Sequence, residues 1–242
     1  MEIKVGLLGL GTVGGGVVQL LDHHRALIAS RCGGVGAAIT RVLVRDLERT
    51  RTASCPEGAR LTTRADEILE DPAIQVVIEL MGGTEPALAY VRQAIRAKKH
   101  VVLANKELMA RHGPALLEEA HQHGVALLFE ASVAGGIPIL RAMRESLNAD
   151  HIVSLQGIVN GTTNYILSRM AVEGLSFSAA LQEAQAKGYA EADPGNDIHG
   201  VDAMYKLAIL IAMGFGTPVD VSSLAHHGID RVQATDIQYA RD

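Results

Sequence analysis

The chain has 242 residues, 48% hydrophobic and 20% charged, which allows a packed core and excludes a disordered chain. Its 22 basic and 27 acidic residues leave a net charge of −5, which argues against nucleic acid or an anionic membrane as partner. Aromatic residues are only 3% and Trp is absent, so a base-stacking surface is excluded as well.

The first half alternates short apolar runs with helical stretches. Residues 3–8 read as a buried strand ending in glycine, and 13–29 as a helix with Val17, Leu20, Leu21 and Ile28 near helical spacing. A second strand is predicted over 38–44, a short helix over 65–69, and a third strand over 75–80. A helix over 86–98, a strand over 100–103, a helix over 111–123 and a strand over 126–130 follow. This alternation with short loops predicts a doubly wound, Rossmann-like parallel sheet. After the Gly135-Gly136 break the rhythm changes. A helix is predicted over 137–148, a weakly alternating strand over 152–159, and helices over 164–173, 178–186 and 197–213. The stretch 232–242 shows no closing element. The expected organisation is a first, Rossmann-like domain over 1–135 and an α+β domain over 136–242.

Cys32 and Cys55 are the only cysteines, too few for a disulfide framework or a four-cysteine zinc site, and they read as reduced thiols of a cytoplasmic protein. No apolar run reaches the roughly 18 residues of a membrane span. The apolar N-terminus mimics a signal peptide, but its glycines and the acidic Glu2 mark it as structure. His199 with Asp197, or His226-His227, lack the spacing of transition-metal ligands, and no GxSxG elbow occurs.

Gly9, Gly11 and Gly14 form GxGxxG, with Thr12 and Val13 inside it, between the first strand and the first helix. In that context the first glycine permits a tight turn, the second lets the backbone approach a pyrophosphate, and the third allows close helix–strand packing. Arg45-Asp46 stands where the second strand ends: the arginine favours NADP, and the acid leaves NAD open. Gly82-Gly83 and Ala104-Asn105-Lys106 follow the third and fourth strands, so Lys106 faces the ligand crevice of such a sheet.

The densest chemistry lies over 187–206, with Glu191, Asp193, Asp197 and Asp202 close together in sequence. Asp202 and Lys206 stand four apart on one helix face. Alone this is an ordinary helix ion pair of about 0.3–0.5 kcal/mol. The apolar rows at Val201, Leu207, Ala208 and Ile211 mark the helix as packed, and the acid-rich loop runs straight into it.

The segments GLLGLGTVGGGV (6–17), VLVRD (42–46), ELMGG (79–83), ANKEL (104–108), EASVAGGIPI (130–139), GIVNGTTNYIL (157–167) and GYAEADPGNDIHGVDAMYKLAIL (188–210) stand in one order along the chain. Together they resemble the homoserine dehydrogenase family over nearly the whole chain. The resemblance implies a dinucleotide-binding domain over 1–135, a substrate-binding and dimerisation domain over 136–242, and reversible, NAD(P)-dependent interconversion of homoserine and aspartate 4-semialdehyde by a homodimer in threonine and methionine biosynthesis. It implies catalytic roles for Lys206, Lys106 and Asp202, with Lys206 as the proton-transfer residue. It puts Gly9, Gly11, Thr12, Val13, Gly14, Arg45, Gly82 and Lys106 at the cofactor. Glu191, Gly157, Thr162, Tyr189 and Asp202 fall at the substrate. A monovalent cation, sodium, falls at Glu130 and the carbonyls of Val133, Gly135 and Ile137. A free lysine is mostly protonated at neutral pH, and a second cation nearby eases release of its proton. Which lysine clamps the substrate carboxylate stays open.

Family members run on past the equivalent of Asp242, so a chain ending there is expected to be a truncated or non-catalytic NADP-binding dimer if the missing segment is needed. Another dehydrogenase on the same scaffold is the further alternative.

Overall fold

The computed structural model describes residues 1–51 and 54–240. It divides into two compact units, Met1–Ser132 and Val133–Asp242.

The first unit is a six-stranded, wholly parallel sheet of order β3-β2-β1-β4-β5-β6. Its strands are β1 (Glu2–Leu8), β2 (Gly36–Leu43), β3 (Arg60–Thr62), β4 (Val76–Glu79), β5 (His100–Leu103) and β6 (Leu127–Leu128). The helices between them are α1 (Thr12–His23), α2 (Arg25–Arg31), α3 (Asp66–Leu69), α4 (Ala87–Arg96) and α5 (Lys106–His123). A parallel sheet covered on both faces demands strands without polar alternation. Leu7, Leu8, Val42, Val77 and Val101 meet that demand, each fully excluded from water. The side of α3 is pressed so close to the sheet that a Cβ on Gly6 would stand 2.3 Å from Ile68 Cγ2.

Several boundaries differ from the sequence expectation. The helix over 13–29 kinks at His24 into α1 and α2. Helix α5 starts at Lys106 rather than at 111, because the Asn105 side chain accepts the Leu108 N–H at 3.0 Å and caps it there, and Pro114 is carried inside. The strand over 126–130 shrinks to Leu127–Leu128 because a short 3₁₀ turn begins at Glu130. The short edge strand β3 has too few residues to show a period.

The second unit contains α6 (Ile139–Arg141), which runs into a π-helical turn over Ala142–Ser146, then α7 (Gly161–Glu173), α8 (Phe177–Ala186), α9 (Gly195–Ile198), α10 (Val201–Phe215) and α11 (Ala234–Tyr239). The single helix expected over 197–213 is two, broken at Gly200, whose φ is +80°. A side chain there would also meet the His227 carbonyl at 2.7 Å. The stretch 232–242 does carry a helix, α11, and residues 241 and 242 of that expectation lie outside the described ones. The strand expected over 152–159 is not formed: the segment finds no ladder partner among the described residues, and Val153 and Ile158 stand 83% and 78% exposed. Among the described residues no helix is long and apolar enough to cross a membrane.

Helices α7 and α8 pack through Ile166, Met170, Ala180 and Ala184. Glu183 ties them together, accepting from Lys187 Nζ at 2.5 Å, Tyr165 Oη at 2.8 Å and Arg169 Nε at 2.9 Å. The Lys187, Tyr165 and Arg169 donors hold its carboxyl down to about 2. Unfolding returns it to about 4.3, so its contribution is present above that value and fades as pH falls through the folded one. Glu183→Gln is therefore expected to melt at lower temperature than the parent at neutral pH. Melting curves should show the difference closing between about pH 4 and about pH 2.

Candidate functional site

In the first unit the strand ends lie level. Leu8 pairs with Leu43 and with Glu79, and Glu79 with Leu103, so the segments after β1, β2, β4 and β5 leave one edge of the sheet together. The chain order reverses between β1 and β4, which opens a crevice at that edge. The glycine loop fills its floor. Gly9 has φ +101°, and a Cβ on it would stand 3.0 Å from the Leu80 carbonyl. A Cβ on Gly14 would stand 2.3 Å from the Gly9 carbonyl. Gly11, by contrast, has nothing within 4 Å of the same position. It caps α1 without a side-chain acceptor, so the first N–H groups of a twelve-residue helix point from an open face. Thr12 and Val13 are exposed on that first turn. The arrangement fits a dinucleotide pyrophosphate: two glycines make the loop tight, and the third leaves room outside it.

Arg45 is exposed two residues past β2. Asp46 uses a carboxylate oxygen to accept the Glu48 N–H at 2.9 Å, which engages it in its own turn. Gly82 follows β4 with φ +73°, and Lys106 opens α5 and is exposed.

Glu79 was absent from the expected site residues, although an acid closing an apolar strand is a signal. It is fully buried; Oε1 accepts the Met81 N–H at 2.6 Å, and Oε2 has no hydrogen-bond partner among the described residues. Burial pushes its carboxyl up, opposed by hydrogen bonds from the Met81 N–H, the Asn105 side chain and the Gly82 N–H. Asn105, also buried, donates to the Gly83 carbonyl at 2.7 Å. The turn bearing Gly82 is thus tied from both sides.

In the second unit Lys206 and Asp202 do meet. Lys206 Nζ lies 2.7 Å from Asp202 Oδ2 and donates to the Val159 carbonyl at 2.6 Å. The Asp202 side chain is 2% exposed and that of Lys206 17%. Two residues outside the expected set join them: Asn160 donates to Asp202 Oδ2 at 2.8 Å and to Asp197 Oδ1 at 2.7 Å. Asn160 also caps α7, a role that Asn ahead of Gly-Thr-Thr signals in sequence. Thr162 donates to the Tyr189 carbonyl at 2.8 Å, and the exposed Tyr189 ring lies 4.7 Å from that of Tyr165. Gly157 and Glu191 are exposed, and the Glu191 side chain does not join the Asn160 cluster.

Glu130 opens the 3₁₀ turn of the first unit. In the second, Val133 is buried, Ala134 and Gly135 are consecutive left-handed residues at φ +59° and +56°, and Ile137 donates its N–H to the Ala134 carbonyl at 3.1 Å.

A family model described as homoserine dehydrogenase, NAD binding domain, matches residues 9–130, and one described as homoserine dehydrogenase matches 138–242. The chain is 47% identical over 239 residues to a homoserine dehydrogenase of Bacillus subtilis, covering 99% of this chain and 55% of that protein. It thus spans little more than half the length of that relative. The crystal structure of a homoserine dehydrogenase from Thiobacillus denitrificans matches with a TM-score of 0.92 at 46% identity, covering 100% of this chain and 55% of that one. A hyperthermophilic archaeal homoserine dehydrogenase in complex with NADPH matches with a TM-score of 0.81 at 25% identity, covering 97% and 76%.

Two substitutions separate the jobs of the loop glycines. Gly11→Ala should melt like the parent yet weaken NADP binding by about tenfold or more, whereas Gly14→Ala should lose both, as read by thermal melts and calorimetric titration. For Glu79 the ionised form is disfavoured on folding, so its stabilising share is complete below the ordinary carboxylate value and is lost as pH rises through the raised one. Melting temperatures of Glu79→Gln should accordingly gain on the parent as pH rises above about 4.

Proposed function

The chain belongs to the homoserine dehydrogenase family, and from that membership we propose that the protein interconverts L-homoserine and L-aspartate 4-semialdehyde with NADP or NAD, within threonine and methionine biosynthesis. The observation that carries the reading is the half-buried Lys206 amine, held between Asp202 Oδ2 and the Val159 carbonyl on a packed helix. An amine so held is oriented, and it can give or take one proton at a fixed point.

The dinucleotide, when bound, supplies the hydride acceptor or donor. Gly9, Gly11, Thr12, Val13 and Gly14 hold its pyrophosphate, Arg45 receives the 2′-phosphate, and Gly82 and Lys106 flank it at the neighbouring strand ends. Exposure of Arg45 and the engagement of Asp46 in its own turn support NADP over NAD. In oxidation, Lys206 Nζ takes the hydroxyl proton as hydride leaves the same carbon. In reduction, the Lys206 ammonium returns a proton to the carbonyl oxygen and stabilises the charge that develops there. Glu191 and Asp202 hold the substrate's ammonium group, and Gly157, Thr162 and Tyr189 shape its pocket. Lys106 is the second cation, suited as a point charge to the substrate carboxylate. Glu130 and the carbonyls of Val133, Gly135 and Ile137 hold a monovalent cation, sodium. Family membership supports a homodimer in the cytoplasm.

The test is the absorbance of reduced nicotinamide on adding homoserine, with NADP and NAD in parallel. Homoserine-dependent reduction is expected, with NADP preferred, and Lys206→Ala should lower kcat by about 10²–10⁴-fold. Cofactor binding without homoserine-dependent turnover, or full turnover in Lys206→Ala, would overturn the reading.

A further inference from the structure

The Asn160 side chain serves three residues at once. Its Oδ1 accepts the Thr163 N–H at 2.8 Å and the Thr163 hydroxyl at 3.0 Å. Its Nδ2 donates to Asp197 Oδ1 at 2.7 Å and to Asp202 Oδ2 at 2.8 Å. An amide nitrogen carries two hydrogens, and each here meets its own carboxylate. Reversed, the amide would set its oxygen against two carboxylate oxygens, so the chemistry determines the orientation. The residue is only 7% exposed, which leaves water little chance to substitute for these bonds.

The Asp202 oxygen that receives Asn160 is the one that receives Lys206. The residue preceding Asn160, Val159, supplies the carbonyl that takes the Lys206 amine. Both acceptors around that amine are therefore set by one short stretch of backbone and one amide. Asp197, on α9, and Asp202, on α10, carry like charges, and the donor shared between them offsets their repulsion. Near the elements packed against α10, His199 lies 3.9 Å from Asp230. Arg144 and Glu145 of the π-helical turn lie 3.5 Å apart, and Asp220 accepts the Ser222 N–H at 2.9 Å.

We infer that Asn160 is a positioning residue for proton transfer: it holds Asp202 and the Val159 carbonyl around Lys206 and, by sharing the Asp202 oxygen, limits how tightly that carboxylate retains the ammonium proton. The inference rests on Lys206 being the proton-transfer group, and it puts Asn160 in contact with no substrate atom.

Asn160→Asp tests it, because aspartate caps a helix as well as asparagine does but replaces both donated hydrogens with an acceptor. The variant should keep the helix cap and its cofactor Kd, and melt below the parent because both donated hydrogen bonds are lost. Its kcat for homoserine oxidation at neutral pH should fall by about tenfold or more, and the rising, acidic-side limb of its pH profile should move up by about one unit, because a third carboxylate favours the ammonium form of the base. Asn160→Ser, which caps and donates one hydrogen, should fall between the two. Parent-like kcat, KM and pH profile in Asn160→Asp overturns the inference; if that variant does not fold, the same result in Asn160→Ser does so. Competitive acetylation of Lys206 against pH, read by mass spectrometry, needs no turnover. A labelling profile unchanged in the variants overturns the role of Asn160, and a labelling midpoint moved to higher pH supports it. An unaltered protein that labels normally but does not oxidise homoserine overturns the proposed reaction instead.

Discussion

An amine and a carboxylate can be withdrawn from water together only if each finds further partners, because desolvation otherwise exceeds their attraction. Lys206 and Asp202 are such a pair, and their surroundings are arranged by that requirement. The amine takes the Val159 carbonyl as a second acceptor, and the carboxylate takes the Asn160 amide as a second donor. Meeting it obliges the start of α7, the short helix α9 and the first turns of α10 to converge. The break at Gly200 serves the same end: it lets the chain turn from Asp197 to Asp202 so that both carboxylates reach one asparagine. A straight helix over this stretch would spread the two acids along its length.

The first unit is governed by a different constraint, close approach of backbone to backbone. Gly14 must lie against the Gly9 carbonyl, and Gly9 against Leu80, for the loop to close over the sheet edge. That closeness leaves the N-terminus of α1 pointing outward with unsatisfied donors, which is what an anion requires. The adjoining turn is held by two buried groups. Glu79 grips the Met81 N–H from beneath and Asn105 grips the Gly83 carbonyl. A buried carboxyl is costly in a sheet, and its position under the ligand-facing turn explains where the benefit falls.

Much of this was legible in the amino-acid order. The buried strands, the glycine fingerprint and its place between strand and helix follow from apolar runs and from the one residue that tolerates such approach. The pairing of Asp202 with Lys206 follows from helical spacing alone. The boundaries that failed did so for local reasons. Asn105 and Asn160 are caps, and a cap outweighs the apolar period that placed both helices too late. The alternation over 152–159 predicted a strand, but alternation reports a half-buried face and not the partner that makes a ladder.

What the sequence determined by itself, then, was whatever depends on neighbours a few residues apart: the strands, the glycine loop, the ion pair on α10 and the family resemblance carried by ordered motifs. What only the tertiary structure decided was which distant residues share a proton or a charge. Asn160 lies 37 residues from Asp197 and 42 from Asp202, and Val159 lies 47 from Lys206. No spacing rule spans such distances. Those contacts exist because folding pairs the great majority of buried polar groups, and that accounting is done only in three dimensions.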